Sequence, residues 1–345
     1  MQSAPGISTG RGRTTIHAVA SLAGVSPSTV SRALNSPELV KAATRQRVLA
    51  TAEQLGYQPN RAARSLVLGR TACLGLIVPD IANPFFTPFI KAVQSYTRAE
   101  DYALFLADTD EDQATEVTLA DAMARQVDGL ILCSPRMSNS QLRSVAELTP
   151  IVVAHRLSRS VPSVAMESGT GIRQAVSHVH ALGHRRCAYL AGPRASWSDQ
   201  QKRKAYEAAC GKHGIELTVL GPYEPRFPGG YRAAEDALAA NVTAVFAYND
   251  LVALGVLSRL GDRGVVVPDE MSVIGFDDIA MASMSSPPLT TVAVPITTVA
   301  RASASMLLAS LVGGSSPRRP APRELETSLV IRSTTAPTSA AAAGA

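Results

Sequence analysis

The chain has 345 residues, of which 46% are hydrophobic and 18% are charged. This length favours two or three structural units, and the large apolar fraction excludes charge-driven disorder of the whole chain. No apolar run reaches the roughly 18 residues that a membrane span needs, and the amino-terminal segment lacks the apolar core of a secretory signal. We therefore predict a soluble, cytoplasmic protein that makes no membrane contact.

The net charge of +5 is distributed unevenly along the chain. Residues 1–70 contain nine Lys and Arg and only two acidic residues, which gives this segment a net charge of +7. The remaining 275 residues carry a net charge of −2. A small basic unit joined to a large, nearly neutral one indicates that the amino-terminal unit binds a polyanion.

The amino-terminal unit is predicted to be helical. Residues 1–13 are small, polar and basic, and we predict that they form a disordered arm. Apolar residues then recur at helical spacing from Thr15 until Gly24 interrupts them. Ser26 followed by Pro27 is typical of a helix start, because serine caps the helix and proline tolerates its first position. A third helix is predicted over about 43–55.

Helix, glycine turn and serine-capped second helix in a basic unit are typical of a helix-turn-helix, which lays its second helix in the DNA major groove. A small helical cap with a basic face is the alternative that charge and pattern leave open. We assign this domain to residues 14–58. Residues 59–70 are assigned to a hinge helix and linker, because Asn60 can cap a helix that is too short to be stable alone.

From Thr71 onward, apolar strand-like runs alternate with amphipathic helices. The predicted strands are CLGLIVP, YALFLAD, DGLILCS, PIVVAH, CAYLAG, TAVFAYND and MSVIGFDD. The predicted helices include 86–99, 113–126, 169–182, 199–213, 229–240 and 250–260. This alternation indicates a doubly wound α/β architecture, and seven or more units predict two lobes with a cleft between them. We assign residues 71–335 to this domain and 336–345 to a disordered tail.

The sequence offers little support for metal or redox chemistry. The four cysteines (Cys73, Cys133, Cys187 and Cys210) form no CxxC pair, and we interpret them as small buried hydrophobes. The segment DTDEDQ imitates the start of a calcium loop, but Gln113 replaces the required glycine and Leu119 the closing Glu. A polar loop at a strand end, where α/β folds place ligand contacts, is the preferred interpretation.

Common catalytic and cofactor signatures also fail to appear. The motifs GxxxxGK[ST] and HExxH are missing, and Gln174 replaces the third glycine of a dinucleotide fingerprint. His180 and His184 have i,i+4 spacing, but no carboxylate completes a metal set. We predict that the chain is not an enzyme and binds neither a metal nor a cofactor.

Several motifs occur together and in a specific order. They are TTIHAVASLAGVSPSTVSRALN, TRQRVLATAEQLGYQPNRAARSL, LGLIVPDIANPFF, VDGLIL, LGHRRCAYLAGP, FAYNDLVALGVL, VPDEMSVIGFDD and PPLTTV. In this combination they closely resemble the LacI/GalR family of bacterial transcription regulators over roughly residues 14–335. The resemblance implies an all-α helix-turn-helix headpiece and a two-lobed α/β sensor similar in fold to periplasmic sugar-binding proteins.

The resemblance also implies roles for residues of the headpiece. Pro27, Ser28 and Arg32 occupy positions where the family reads base edges, and arginine can pair bidentately with guanine. Phosphate or turn contacts are expected from Ser26, Thr29, Ser31 and Asn35, and Thr15 is a further expected DNA contact. In the hinge, the expected DNA contacts are Asn60, Arg61, Arg64 and Leu66. Leu66 matches a leucine that wedges into the minor groove, with domain packing as its alternative role.

In the sensor, the resemblance implies a cleft that binds a small polar effector. The expected lining is Phe85, Phe86, Ser134, His155, Arg156, Trp197, Lys202, Tyr223, Asn249 and Asp277. Aromatic faces can stack on sugar rings, while Asn249 and Asp277 can hold hydroxyls. Lys202 stands where the family usually has Arg, and His155 where Asp is common, so the effector of a relative cannot be transferred to this chain.

Together these observations predict a homodimeric repressor that binds operator DNA and responds to a sugar-like effector. A solute-binding protein of a transporter is the alternative, but it leaves the basic headpiece without a role. A cleft enzyme is a third possibility, for which no nucleophile and base can be named.

Overall fold

The computed structural model describes residues 14–35, 37–57, 70–312 and 323–338. They belong to two compact units that divide between Thr71 and Ala72. The predictions for the arm 1–13, for nearly all of the linker 59–70 and for the tail beyond Thr338 lie outside the described residues. The predicted domain boundaries stay predictions.

The first unit consists of three helices around a small apolar core. They are α1 (Ile16–Ala23), α2 (Pro27–Asn35) and α3 (Ala42–Gln54), with a 3-10 turn at Pro37–Leu39. The α1 helix ends at Gly24, whose φ of 64° lies in the left-handed region that favours glycine. All three helices contribute buried apolar side chains to the core, which are Val19, Ala20, Ala23, Val30, Ala33, Val48 and Ala52.

The second unit contains two sheets of six strands each. Its first lobe (lobe 1) has the strand order β11-β5-β4-β3-β1-β2, and all of its neighbouring strands are parallel. The strands are β1 (Cys73–Val78), β2 (Ala103–Asp108), β3 (Gly129–Cys133), β4 (Ile151–Ala154), β5 (Ser163–Glu167) and β11 (Arg323–Glu326). The helices are α4 (Phe86–Ala99), α5 (Gln113–Ala124), α6 (Asn139–Leu148) and α12 (Ile296–Val312), of which α12 packs on α4 and on β3, β4 and β5.

The second lobe (lobe 2) has the order β12-β10-β9-β8-β6-β7, in which only the β10–β12 pair is antiparallel. Its strands are β6 (Arg186–Leu190), β7 (Glu216–Leu220), β8 (Ala244–Ala247), β9 (Ser272–Asp277), β10 (Thr290–Ala293) and β12 (Ser328–Val330). Its helices are α7 (Ser168–Ala181), α8 (Trp197–His213), α9 (Phe227–Ala239), α10 (Asp250–Asp262) and α11 (Ala280–Met284).

The described chain passes between the lobes three times, after β5, after β10 and after β11. Thr327 joins two of these crossings, because its hydroxyl donates to the carbonyl of Glu167 at 3.0 Å and accepts from the amide of Gly171 at 3.1 Å. Gly171 must remain small, since an added Cβ would lie 2.4 Å from Val292 Cγ1. The crossings therefore form one tightly packed hinge.

These features confirm the predicted fold class of an all-α unit followed by a two-lobed α/β unit. All seven predicted strands are present, together with β5, β7, β10, β11 and β12, which the sequence analysis does not predict. The helices α6, α11 and α12 are also additional. Residues 336–338 differ from the predicted tail, because Thr338 donates to Leu182 O at 2.9 Å and Ala336 O accepts from His184 Nε2 at 3.1 Å.

No described helix combines the length and apolar character needed to cross a membrane.

Candidate functional site

Helix α2 presents one polar face from the surface of the first unit. Ser26 caps the helix, since its Oγ accepts from the Thr29 amide at 3.2 Å, and it also hydrogen bonds to the Ser28 hydroxyl at 2.8 Å. Ser28 and Arg32 are exposed, whereas Val30 is buried against the other helices. The face that carries Ser28 and Arg32 is therefore available to a partner, and the opposite face holds the helix in place.

The structure describes four further residues of this unit that are predicted to contact DNA. Thr15 is exposed and caps α1 through a 3.4 Å bond from the Ala18 amide. Pro27, Thr29 and Ser31 are half-buried. The side chain of Asn35 and the residues Asn60, Arg61, Arg64 and Leu66 lie outside the described residues.

A basic side chain also stabilises the unit. Arg47 Nε on α3 donates to the carbonyl of Ala23 at 2.9 Å, at the end of α1 where carbonyls lack helical partners. Arg45 lies on the same helix and is exposed. The two arginines therefore differ, because Arg47 ties two helices together.

In the second unit, a cavity lies between the carboxyl ends of the strands of the two lobes. Its empty volume is about 380 Å³, including space open to solvent. Lobe 1 supplies Phe85, Phe86, Glu111, Ser134, Arg136 and Met166, and lobe 2 supplies Ser198, Lys202, Tyr248, Asn249 and Asp277. Such an edge, where loops follow parallel strands, is where open α/β folds bind ligands.

Six of the ten predicted effector-binding residues line this cavity, and they are Phe85, Phe86, Ser134, Lys202, Asn249 and Asp277. The other four do not. Trp197 is half-buried beside the lining residue Ser198, and the Tyr223 hydroxyl donates to Asp236 Oδ2 at 2.6 Å. His155 and Arg156 are buried in lobe 1, next to the cavity rather than in its lining.

Lys202 is the buried cation of the cavity. Its Nζ donates to the carbonyl of Tyr248 at 2.8 Å and lies 3.6 Å from the centre of the Phe276 ring. Burial lowers the pKa of Lys202, an effect that the carboxylate of Asp277 opposes. Burial also raises the pKa of Asp277 to about 7, although the Lys202 ammonium limits the rise. The cavity thus offers an ammonium and a carboxyl that titrates near neutrality.

Arg136 and Glu111 form a second charged pair in the lining. Arg136 Nη2 lies 2.6 Å from Glu111 Oε2, and the side chain of Arg136 is only 5% exposed. Its Nη1 donates to Ser134 O at 2.7 Å, which fixes the guanidinium plane. Behind this loop, Glu116 accepts from the amides of Arg136 and Met137, both at 2.8 Å. The carbonyl of Ser134 thus fixes the side chain of Arg136, and the carboxylate of Glu116 fixes its backbone.

His155 and Arg156 have different surroundings. The His155 ring lies between Phe85 and Phe89, 5.3 Å from each ring centre, and neither ring nitrogen has a hydrogen-bond partner among the described residues. Burial lowers the pKa of His155 to about 3, and the charge of Lys202 adds to the effect. Arg156 instead donates to the carbonyl of Pro135 at 3.2 Å and to that of Met137, so it organises the loop after β3.

Backbone strain is concentrated at this edge of lobes 1 and 2. Positive φ angles occur at Asp110, Glu111, Ser134, His155 and Asp277, with values from 48° to 117°. Such conformations in residues other than glycine cost roughly 1–3 kcal/mol each and persist where the surrounding structure imposes them. Their clustering at the ends of β2, β3, β4 and β9 supports a functional role for the cavity.

Comparison with known proteins identifies the family to which the chain belongs. Residues 15–60 match the family described as bacterial regulatory proteins, lacI family, and residues 176–335 match the periplasmic binding protein-like domain. Catabolite control protein A of Priestia megaterium is 33% identical over 82% of this chain and 88% of its own length. The chain belongs to the LacI family of bacterial regulatory proteins. It is a DNA-binding transcriptional regulator that responds to a ligand.

Solved structures of LacI-family proteins show the same architecture. The lac repressor dimer bound to operator and to the anti-inducer ONPF has a TM-score of 0.84 at 26% identity, covering 94% of this chain and all of that one. The complex of the transcriptional regulator CelR with cellobiose has a TM-score of 0.69 at 29% identity, covering 93% of this chain and all of that one. The predicted periplasmic-binding-protein-like sensor is thereby confirmed.

Family membership decides between the functional alternatives of the sequence analysis. The solute-binding alternative is set aside, because the match of residues 15–60 is to a regulatory headpiece. These relatives are regulators rather than enzymes. Among the described residues, no group of three or more His, Cys, Asp or Glu side chains could hold a metal ion.

The cavity also contains five lining residues that the sequence analysis does not predict, namely Glu111, Arg136, Met166, Ser198 and Tyr248. For two of them a signal exists in the sequence. Glu111 belongs to the DTDEDQ segment at the end of β2, and Tyr248 directly precedes Asn249. Arg136 and Met166 carry no such signal, because their position depends on how the loop after β3 and strand β5 meet lobe 2.

Proposed function

We propose that this LacI-family chain is a homodimeric repressor whose affinity for operator DNA changes when a small, sugar-like effector binds between its lobes. The observation that carries the proposal is the cavity, in which aromatic side chains from both lobes surround Lys202 and Asp277. A site of this kind offers apolar faces for a ring and a few polar groups that fix its hydroxyls.

On the DNA side, Arg32 is the residue that reads a base. It is exposed on the polar face of α2 and can donate two hydrogen bonds to a guanine edge in the major groove. Pro27 and Ser28 complete the base-reading surface, and the positioning contacts to phosphates come from Thr15, Ser26, Thr29, Ser31 and Asn35. Asn60, Arg61, Arg64 and Leu66 complete the proposed DNA contacts, with Leu66 as a minor-groove wedge.

On the effector side, Phe85, Phe86 and Asp277 form the core of the proposed site, with Ser134, Lys202 and Asn249 around them. His155, Arg156, Trp197 and Tyr223 support the site from beside it. Asn249 illustrates the division of roles, since its Oδ1 caps α10 by accepting from the Val252 amide at 2.9 Å, while the residue still lines the cavity. The cellobiose complex of CelR supports a sugar as the ligand class.

The dimer is supported by the operator-bound lac repressor dimer and by geometry. A single α2 helix contacts few base pairs, whereas a two-fold dimer doubles the site and reads a palindromic operator. Two adjacent exposed residues on β2, Phe105 and Leu106, add apolar surface at the edge of lobe 1.

The test is a binding titration of the full chain with the DNA upstream of its own gene, using a scrambled duplex of equal length as control. A thermal-shift screen of sugars, polyols and nucleosides then identifies stabilising compounds, and each hit is added to the DNA titration. We expect preference for the natural sequence and at least one hit that changes the affinity. Equal binding to both duplexes, or hits that stabilise the protein without changing DNA affinity, would contradict the proposal.

A further inference from the structure

A cluster of charged side chains joins the two lobes outside the cavity. Arg226, which immediately precedes α9 in lobe 2, places its Nε 2.7 Å from Asp80 Oδ2, and Asp80 follows β1 in lobe 1. The same guanidinium also forms an ion pair with Asp110, which follows β2. Within lobe 2, its Nη1 lies 3.3 Å from Glu224 Oε1. One arginine therefore bridges two loops of the opposite lobe.

The acidic side of this bridge is held by its own backbone. The second carboxylate oxygen of Asp80 accepts from the Ala82 amide at 2.9 Å. Asp108 accepts from the Ile81 amide at 3.3 Å and from the Asp110 amide at 3.1 Å, which connects the loops after β1 and β2. The two carboxylates are therefore positioned together before they meet Arg226.

This arrangement accounts for the DTDEDQ segment. Asp108 joins the two loops, Asp110 pairs with Arg226, and Glu111 turns inward to Arg136. Asp112 caps α5 by accepting from the Thr115 amide at 2.7 Å. Each acidic side chain of the segment thus has a partner within the chain. Asp110 pairs with Arg226 outside the cavity, and Glu111 pairs with Arg136 in the cavity lining.

Both ends of the bridge are adjacent in sequence to cavity residues. Asp110 precedes Glu111, which lines the cavity. Arg226 follows Pro225, whose carbonyl accepts from Nδ2 of the lining residue Asn249 at 2.9 Å. A change in the distance between the lobes would therefore alter the bridge and the cavity together.

We propose that Arg226, Asp80 and Asp110 form an interlobe clasp that holds the sensor closed, so that the clasp must break before the lobes can separate. Asp80 supplies most of its strength, because its side chain is only 7% exposed, whereas that of Asp110 is 81% exposed. Exposed ion pairs contribute little, since water and salt screen them. The proposal concerns lobe motion alone and does not depend on the identity of effector or operator.

The clasp can be tested on the full chain without a ligand. Arg226→Met removes the charge but retains the length of the side chain. We expect amide exchange to rise about fivefold or more in segments 79–86, 108–112 and 222–230, the lower end of usual coupling between sites. The single tryptophan, Trp197, lies beside the lining residue Ser198, so acrylamide should quench its fluorescence more strongly in the variant.

The matched control is Arg232→Met. Arg232 lies on α9 and, like Arg226, pairs with Glu224, at 3.4 Å, but it makes this ion pair within lobe 2. It should leave exchange in lobe 1 and tryptophan quenching at wild-type values. If Arg226→Met behaves as this control does, the clasp is excluded.

A second pair of variants separates the clasp from local loosening around position 226. Asp80→Asn should reproduce the effects of Arg226→Met, Asp110→Asn should have a smaller effect, and combining Arg226→Met with Asp80→Asn should add little to either change alone. Additive effects would mean that the residues act separately and would overturn the proposal. Should Arg226→Met fail to fold, Asp80→Asn measured against the Arg232→Met control provides the same comparison.

Discussion

Helix α2 presents its polar face from nine consecutive residues, whereas the cavity collects eleven side chains from between Phe85 and Asp277. The residues at the centre of the α2 face are exposed, whereas those of the cavity are largely buried, include four charged side chains, and in part have a strained backbone. On an exposed helix face such as that of α2, a single residue can be substituted with little effect on its neighbours. In the cavity, a single change also alters the charge and support of the others.

The largest expected effect is the salt dependence of DNA binding, which tests whether the basic headpiece binds phosphates. If a dimer neutralises about eight to ten phosphates, log affinity for operator should fall against log salt with a slope of roughly −7 to −9. Between about 50 and 200 mM salt, affinity should then fall by roughly 10⁴–10⁵-fold. Fluorescence anisotropy over a salt series measures this slope. An affinity that does not change with salt would show that the headpiece does not bind phosphates.

Arg32→Ala should have the next largest effect, about 1–3 kcal/mol per half-site, with relaxed preference at one base pair. Its matched control is Arg45→Ala, since Arg45 is also an exposed arginine of the headpiece. The control should weaken binding evenly across sequences or leave it unchanged. An unchanged ratio of operator to scrambled-DNA affinity in Arg32→Ala would show that another residue reads the base. Arg47 is unsuitable as a control because it ties α3 to α1.

Asp277→Ala should abolish the effector response, typically a 5–150-fold change in operator affinity, while ligand-free affinity stays within about threefold. The reason is that Asp277 lines the cavity and belongs to a compact unit separate from the headpiece. A compound found in the thermal-shift screen serves as the ligand in the DNA titration. A variant that keeps its full response would place the effector elsewhere.

The last prediction concerns the pH dependence of stability, and His155 is the residue to change. Its folded pKa of about 3 lies below the ordinary value of 6.5, so the stabilising difference is present above 6.5 and is lost as pH falls. Between pH 6.5 and 5 this loss should be about 2 kcal/mol, and His155→Met should remove it. Urea unfolding at several pH values measures the difference between the two proteins.

Other titrating groups also determine how the stability of the wild-type protein changes with pH. Their contributions largely cancel when the wild-type protein is compared with His155→Met. Burial also lowers the pKa of His184, which acts in the same direction as His155. The pKa values of Glu116 and Asp277, raised to about 7 by burial, act in the opposite direction, because their stabilising contribution falls as pH rises. A wild-type and a His155→Met protein that lose equal stability on acidification would contradict the assignment.

The two regions also differ in how far the sequence predicts them. Ser26 and Pro27 predict the start of α2. The helical spacing of the apolar residues then distinguishes its buried face from its exposed one. The cavity depends on contacts between distant positions. Phe85, Asn249 and Asp277 could be expected from their motifs, but the pairing of Glu111 with Arg136 joins the ends of two strands and leaves no local pattern.

Arg156 shows why residue type alone is insufficient at such a site. An arginine after a strand resembles a ligand-binding residue, yet carbonyls of the neighbouring loop occupy its guanidinium. Helix α12, in contrast, carries a readable signal. Its buried residues recur at helical spacing, although only the structure shows that they cover lobe 1 after the chain has returned from lobe 2.

That return of the chain has a consequence for biosynthesis. The headpiece is fully translated by about residue 57, but lobe 1 requires α12 and β11, which follow most of lobe 2 in the sequence. At usual rates of translation, the ribosome needs roughly 7–26 s to pass from Glu167 to Ile296. During this interval the apolar surface that α12 later covers on α4 and β4 stays uncovered. Nascent lobe 1 is therefore expected to be prone to aggregation until α12 has been synthesised.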